Sequence, residues 1–259
     1  MVKREVNSTD FIKFLGTAGA RFVMIKQLRA SGGIWISCRG TNILIDPGPG
    51  SIVRCCASRP KLDPSKLDGI ILTHRHLDHA NDINVMIEAM TEGGFKKRGV
   101  VFCPSDALND GPVILKYSFN FPEKIEVLKP KRDYRIGEFK FTTSMPHIHP
   151  VETYGLKFKI GKTSVGLISD TKYFKGLGGF YKTDILIIPV VFFTPRPEIA
   201  HLSLADAEKL ILAIKPKKTI LTHFGMTMLQ AKPHIQAELF SKKLKTEVVA
   251  AYDGFKLDL

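Results

Sequence analysis

One short stretch of this sequence constrains the fold and the chemistry more than any other. Residues 73–79 read Thr-His-Arg-His-Leu-Asp-His and directly follow the apolar run Gly69-Ile70-Ile71-Leu72. A buried strand over the apolar run would deliver three imidazoles and one carboxylate at its carboxyl end. Imidazole nitrogens and carboxylate oxygens are ligands that zinc and similar divalent ions take. The stretch therefore predicts a metal site, because a merely solvated loop would not need three of the eight histidines together.

The pattern His74-x-His76-x-Asp78-His79 resembles the signature of the metallo-β-lactamase superfamily. The resemblance implies an α/β fold, a four-layer αββα sandwich in which helices flank two mixed β-sheets. It also implies a hydrolase that holds two metal ions between the sheets. The motif is specific because four ligand-type residues must match in register, and we expect the remaining ligands downstream.

Further candidate ligands follow other predicted strands. His149, with Thr153 and Gly155 after it, has the spacing of the family's phosphodiesterase branches, and His147 stays the alternative ligand or a substrate contact. Asp170 follows the predicted strand 163–168, where the family places a carboxylate that bridges both metals. By resemblance, one metal is held by His74, His76 and His149 and a second by Asp78, His79 and His223, with Asp170 shared.

Two residues are predicted to orient these ligands. Asp46 ends the second strand of a predicted hairpin (34–38 and 42–45) and resembles an Asp that lies behind the ligands in the family. It would fix an imidazole through its free ring nitrogen, although an Asp that only forms a turn with its own backbone would look the same. Thr73 is assigned the same role. The loop 16–19 resembles the family's loop beside the metal site.

The predicted ligand set indicates hydrolysis. A water that bridges two divalent cations can have its pKa lowered from about 16 to near 7, which supplies a nucleophile without a side-chain base. Asp78 and His201 are the candidate catalytic residues. His201 resembles the extra histidine with which phosphodiester-cleaving relatives, including tRNA 3′-processing endonucleases, contact phosphate or protonate the leaving oxygen. A helix-capping or core histidine is the alternative interpretation.

The substrate class is narrowed by what separates His149 from Asp170. The tRNA-processing relatives usually carry a long basic arm there, whereas here the residues 150–169 are accounted for by a predicted hairpin. We therefore expect a phosphodiesterase for a cyclic or short phosphodiester. A tRNA 3′-processing endoribonuclease, a thioester or lactam hydrolase, and a nucleic-acid binder without catalysis are the alternatives. Zinc is favoured by the histidines, and manganese or iron would fit the same residues.

Composition sets the remaining expectations. The chain has 259 residues, 44% of them hydrophobic, and no linker, so we expect one domain over 1–259. A net charge of +13 favours an anionic substrate such as a nucleotide or short nucleic acid, although a lysine-rich surface that is only solvated would give the same charge, and no aromatic residues interleave with the lysines. No run of 18 apolar residues predicts a membrane span, and residues 1–5 do not begin a signal peptide, so we expect a cytoplasmic protein with reduced cysteines. A monomer and a homo-oligomer both stay open.

Two helices are predicted with defined ends. Residues 81–90 carry apolar side chains at loosely helical spacing, and glycines follow. Ser203 and Asp206 form a capping-box pattern that opens a helix through Ile214, before Pro216. His234, beside Pro233 at the start of a further amphipathic helix, is predicted to be a surface residue.

Overall fold

Two seven-stranded sheets form the centre of the molecule in the computed structural model, which describes residues 10–109 and 111–259. The prediction that residues 1–5 do not begin a signal peptide therefore concerns residues outside the described ones. The first sheet contains β1 (Phe11–Phe14), β2 (Ile34–Cys38), β3 (Thr41–Ile45), β4 (Gly69–Ile71), β5 (Val100–Cys103), β6 (Lys124–Val127) and β14 (Lys256–Asp258). The second contains β7 (Asp133–Ile136), β8 (Phe139–Thr143), β9 (Leu156–Ile160), β10 (Thr163–Leu167), β11 (Ile185–Pro189), β12 (Lys218–Thr222) and β13 (Glu247–Ala250).

Both sheets are mixed. The strand orders are β14-β1-β2-β3-β4-β5-β6 and β13-β12-β11-β10-β9-β8-β7. In the first sheet β3 to β6 run parallel, and in the second β10 to β13 run parallel, while the other neighbours are antiparallel. The central parallel strands β4 and β11 are continuous apolar runs because both of their faces are covered. β11 is an example, with all five of its residues buried.

Helices cover the outer faces of the two sheets. They are α1 (Ala20–Ile25), α2 (Ser51–Ala57), α3 (Leu77–Ala80), α4 (Ile83–Met90), α5 (Leu177–Phe180), α6 (Leu204–Ile214), α7 (Met226–Gln230) and α8 (Pro233–Leu244). α4 packs Met86 and Met90 on the first sheet, and α6 packs Leu210 and Ile211 on the second. A third apolar cluster joins the inner faces of both sheets. The predicted four-layer αββα sandwich is confirmed.

One of the two predicted helices has the predicted ends, and the other is shorter. α6 begins with the capping box, in which the Ser203 hydroxyl accepts from the Asp206 N–H and the Asp206 carboxylate accepts from the Ser203 N–H. The helix predicted over 81–90 is shorter, because a separate turn of helix, α3, carries the end of the histidine motif. β7 and α1 were not predicted, since β7 is four residues long and α1 exposes the apolar Phe22 and Ile25.

No helix in the described ranges has the length and apolar character needed to cross a membrane. The four cysteines are unpaired in the structure.

Candidate metal centre

The predicted ligands meet at one edge of the sandwich, where parallel strands of both sheets end. His74 follows β4, Asp170 follows β10 and His223 follows β12. His76 lies at the amino end of α3, so that Asp78 and His79 fall within its single turn. Because the carboxyl ends of parallel strands share one edge of a sheet, residues far apart in sequence converge there.

Two groups of ligand atoms result from this convergence. His74, His76 and His149 form one group, and Asp78, His79, Asp170 and His223 form another, with ligand atoms within 4.8 Å of one another in each. In the first group, His76 Nδ1 lies 3.0 Å from His149 Nε2. The Ala200 carbonyl accepts from His149 Nδ1 at 3.0 Å, which leaves a lone pair on Nε2 for a metal.

Asp170 lies between the two groups. Its Oδ2 is 3.7 Å from His74 Nε2 and 3.6 Å from His79 Nε2, so one oxygen faces a member of each group. Its Oδ1 is 3.3 Å from His223 Nε2. The carboxylate is 2% exposed. Burial alone would raise the pKa of Asp170, but the surrounding imidazoles, His223 and His201 above all, hold that pKa well below its usual value. The anionic form therefore dominates at neutral pH.

Unpaired buried atoms test whether this cage fits metal ions. Buried polar side-chain atoms are nearly always hydrogen-bonded in folded proteins. Among the described residues, five such atoms in this cluster have no hydrogen-bond partner: His74 Nε2, His79 Nε2, Asp170 Oδ1, His201 Nδ1 and His223 Nε2. All are nitrogen or oxygen atoms of metal-binding residue types, and they face one another. The donor set therefore fits divalent cations.

Asp46 and Thr73 hold two of the ligand rings from behind. The Asp46 carboxylate accepts from the Thr73 backbone N–H and from the Thr73 hydroxyl, each at 2.7 Å, and from His79 Nδ1 at 3.0 Å. The Thr73 hydroxyl is also 3.1 Å from His74 Nδ1. Its one proton goes to Asp46, so His74 Nδ1 donates to it. Both rings thereby keep the proton on Nδ1 and leave Nε2 free to bind a metal.

The pKa values of His74 and His79 are shifted in opposite directions. Burial lowers the pKa of His74 well below its ordinary value. Burial also lowers the pKa of His79, but Asp78 and Asp46 outweigh it, and the net pKa lies well above the ordinary value in the absence of a cation. The half-buried carboxylates of Asp78 and Asp46, which favour a positive charge on His79, would equally favour a metal ion.

His147 does not face the open side of the site. It is buried, its Nδ1 is 3.2 Å from the Asp170 carbonyl and its Nε2 is 2.7 Å from the Tyr181 hydroxyl. The carbonyl can only accept, so Nδ1 carries the proton and Nε2 accepts from Tyr181. Both ring nitrogens are therefore occupied, which contradicts the alternative assignments of His147 as a ligand or a substrate contact. Burial lowers its pKa to about 4.

A cleft of about 900 Å³ opens next to the ligands. His76, His149 and His201 line it on the metal side, and α1 and Arg196 line it further out. His201 Nδ1 is 3.5 Å from Asp170 Oδ2, and the side chain is 16% exposed. Burial lowers the pKa of His201, so its neutral form dominates near pH 7. The predicted surface residue His234 lies at the start of α8 and not at this cleft.

Several residues that support the candidate ligands were not predicted from the sequence. The Asp253 carboxylate accepts from the Thr17 N–H, the Thr17 hydroxyl and the Ala30 N–H, and so anchors the loop 16–19. In that loop, a Cβ on Gly19 would lie 2.1 Å from the His223 carbonyl oxygen. The Ser169 hydroxyl reaches Thr73 at 2.7 Å. No local pattern marks Asp253, whereas the position of Ser169 directly before Asp170 is a usable signal.

Known proteins share sequence and fold with this chain. A family model described as "Beta-lactamase superfamily domain" matches residues 41–224. Protein MJ1374 of Methanocaldococcus jannaschii is 32% identical over 258 residues, which cover 96% of this chain and 94% of that protein. Ribonuclease Z of Thermoplasma acidophilum is 31% identical over 147 residues, only 54% of this chain and 45% of that protein.

Among solved structures, the metallo-β-lactamase fold protein YhfI from Bacillus subtilis superposes with a TM-score of 0.77 at 20% identity. The superposition covers 97% of this chain and all of that one (100%). At this level of identity the likeness concerns the fold.

Proposed function

Because this chain belongs to the metallo-β-lactamase superfamily of metal-dependent hydrolases, we propose that it is a phosphodiesterase for a cyclic or short phosphodiester. The observation that carries the proposal is His201. It places an imidazole with an unpaired ring nitrogen beside the ligands, at the edge of the cleft. An acyl substrate would not need this group, whereas a phosphodiester presents extra oxygens and a leaving oxygen for it to contact.

The chain's own residues would divide the work as follows. His74, His76, His149, Asp78, His79 and His223 would hold two divalent cations, with Asp170 shared between them. Two such cations would supply an activated water and polarise the phosphoryl oxygen. Asp46 and Thr73 keep two rings in the metal-binding tautomer. Asp78, whose Oδ2 lies 3.7 Å from His223 Nε2, would position the reacting water while it serves as a ligand.

His201 would act on the substrate from beside the ligands, at the edge of the cleft. With a low pKa, its neutral ring can donate one hydrogen bond to a phosphoryl or leaving oxygen. A hydrogen bond of this kind to an oxygen on which negative charge develops contributes about 100-fold or more. The cleft volume of about 900 Å³ is sufficient for a nucleotide-sized ligand.

The test compares wild type with His201→Ala, and with His234→Ala as the matched control on the far helix. We expect hydrolysis of bis(p-nitrophenyl) phosphate with added zinc or manganese, a loss of about 100-fold in kcat/KM for His201→Ala, and no loss for the control. Bound metal, measured by elemental analysis, should be equal in all three. If His201 donates its hydrogen bond to the leaving oxygen, the loss should grow for a phosphodiester with a poorer leaving group, because more negative charge then develops on that oxygen.

Turnover of a thioester or lactam that is indifferent to His201→Ala, with no phosphodiester turnover, would contradict the proposal. It would assign the chain to the acyl hydrolases of the family.

A second candidate is tRNA 3′-end cleavage. It is favoured by the similarity to ribonuclease Z over 147 residues and by the net charge of +13. Against it, the segment between His149 and Asp170 is occupied by β9, β10 and a two-residue turn, which leaves no room for a basic arm. Endonucleolytic release of a 3′ trailer from a precursor tRNA, at a rate above that for cyclic nucleotides, would favour this candidate.

A further inference from the structure

A second concave surface lies away from the metal centre, and cations dominate it. Its cavity, of about 610 Å³, is lined by Arg39, Arg135, Lys140, Lys157, Lys159 and Lys182, with Glu138 as the carboxylate among its lining residues. We call this set of cations the basic sheet face. The proposed hydrolysis uses none of them.

Apart from Lys157, which pairs with Gly166 near the carboxyl end of β10, the basic sheet face lies at the opposite end of the strands from the metal centre. Arg39 precedes β3, whereas Asp46 follows it, and Gly161 precedes β10, whereas Asp170 follows its carboxyl end. A five-residue strand spans roughly 17 Å at about 3.3 Å per residue. The cations at that end are therefore too far from the candidate ligands to contact the phosphate that is cleaved.

Sheet register places like charges side by side. Between β7 and β8, Arg135 pairs with Lys140. Between β8 and β9, Phe141 pairs with Phe158, and this register places Lys140 beside Lys159. Phe141 and Phe158 point into the core between the sheets, so the lysines that alternate with them point outward. Like charges directly opposite one another on neighbouring strands destabilise a sheet.

Little within the protein offsets this repulsion. Arg135 bonds Glu138 at 3.0 Å, and the Lys157 ammonium lies 4.6 Å from the centre of the Phe180 ring. Within the described ranges, no carboxylate is within ion-pair distance of Lys140, Lys159 or Lys182. A row of unneutralised cations in a concave surface attracts an anion that carries several charges at short intervals.

The chemistry of the lining narrows the kind of polyanion. Proteins that hold single strands offer aromatic faces on which bases stack. Here Phe158 is buried, and one face of Phe180 is already covered by Lys157. Lysine ammonium groups are compact point charges that suit phosphates and read no base. These features favour contact with a regular phosphate backbone rather than with exposed bases.

We propose that the basic sheet face binds the phosphate backbone of a double-helical nucleic acid, independently of sequence. The site would hold a helical region while the metal centre at the other end stays free. This goes beyond the proposed hydrolysis, and either activity could exist without the other.

The test uses the full chain and a fluorescein-labelled DNA duplex of about 20 base pairs, titrated by anisotropy between about 50 and 200 mM KCl. The variant is Lys140→Gln/Lys157→Gln/Lys159→Gln. The matched control, Lys97→Gln/Lys116→Gln/Lys242→Gln, removes the same charge from exposed lysines elsewhere. We expect the first triple variant to bind at least about 10-fold more weakly at 100 mM KCl, with a salt slope shallower by about one per lysine. The control should keep the wild-type slope within about one.

Thermal unfolding shows whether the first triple variant is still folded. Because the relieved repulsion among the removed charges offsets the lost contact between Lys157 and Phe180, the first triple variant should melt close to the wild-type temperature. Equal losses in both triple variants would overturn the proposal, since only diffuse charge would then matter. Tighter binding of the single strand than of the duplex, binding of phosphatidylserine vesicles without duplex binding, or no duplex binding at about 50 mM KCl would overturn it as well.

Discussion

The Thr73 hydroxyl offers the sharpest test of how the metal centre is built, through the substitution Thr73→Val. The side chain is fully buried and contacts Asp46 Oδ2 and Ser169 Oγ at 2.7 Å and His74 Nδ1 at 3.1 Å. Since its one proton goes to the carboxylate, the His74 N–H and the Ser169 O–H both donate to it. Valine has the same shape but removes the acceptor for both donors.

The expected loss of stability follows from the two donors that are left without an acceptor, His74 N–H and Ser169 O–H, and from the lost hydrogen bond to the Asp46 carboxylate. Each buried group left without a partner costs about 1–3 kcal/mol, so we expect the free energy of unfolding to fall by about 3 kcal/mol. For a chain of this size that lowers Tm by roughly 6–12 °C. Because the His74 ring loses the partner that fixes its tautomer, metal affinity should fall about 10- to 100-fold.

The assay is differential scanning calorimetry with and without zinc, together with competition for zinc against a chromophoric chelator. Thr219→Val is the matched control, because Thr219 is equally buried in a strand of the other sheet and its hydroxyl has no hydrogen-bond partner. Its replacement should leave both stability and metal affinity unchanged or slightly raised. If the two variants have the same Tm and the same zinc affinity, the assigned role of Thr73 is refuted.

Two further predictions concern the loop 16–19 and the cysteine thiols. Gly19→Ala should displace His223, since the added Cβ would lie 2.1 Å from the His223 carbonyl oxygen. Elemental analysis should then show loss of bound metal. The control Gly179→Ala should retain the metal, because nothing lies within 4 Å of its added Cβ. Of the four cysteines, all of them described, Cys56 is exposed, and burial raises the pKa of two of the other three to about 12. A chromogenic disulfide at pH 8 should therefore label one thiol quickly in the native protein and four after unfolding, and rapid labelling of two or more in the native protein would contradict the described burial.

Much of the fold could be predicted because its strands are apolar runs with clear ends. The residues that directly precede His74, Asp170 and His223 are buried on both faces, so each run can be identified without knowledge of its neighbours. The strand β7 could not be read in this way. Its alternation, Asp-Tyr-Arg-Ile, is only four residues long, and its stability comes from pairing with β8 and from packing Tyr134 against Phe141.

The candidate site was predicted in part for a similar reason. Residue types and short spacings identify imidazoles that a turn can bring together, as in residues 74–79. They do not tell which of two nearby histidines turns inward. His147 and His149 differ by two positions in an extended segment, and contacts with Tyr181 and Ala200, both more than 30 residues away, set their orientations.

By itself, the sequence determined the family, the layered fold and the chemical type of the predicted ligands, because strand patterns and ligand spacing act over a few residues. Only the tertiary structure decided which atoms are left without partners, where His201 lies relative to Asp170, and that six cations from distant segments share one concave face. These properties depend on how two sheets pack and in which register their strands pair. Packing and register join residues that are tens of positions apart, and no local pattern records them.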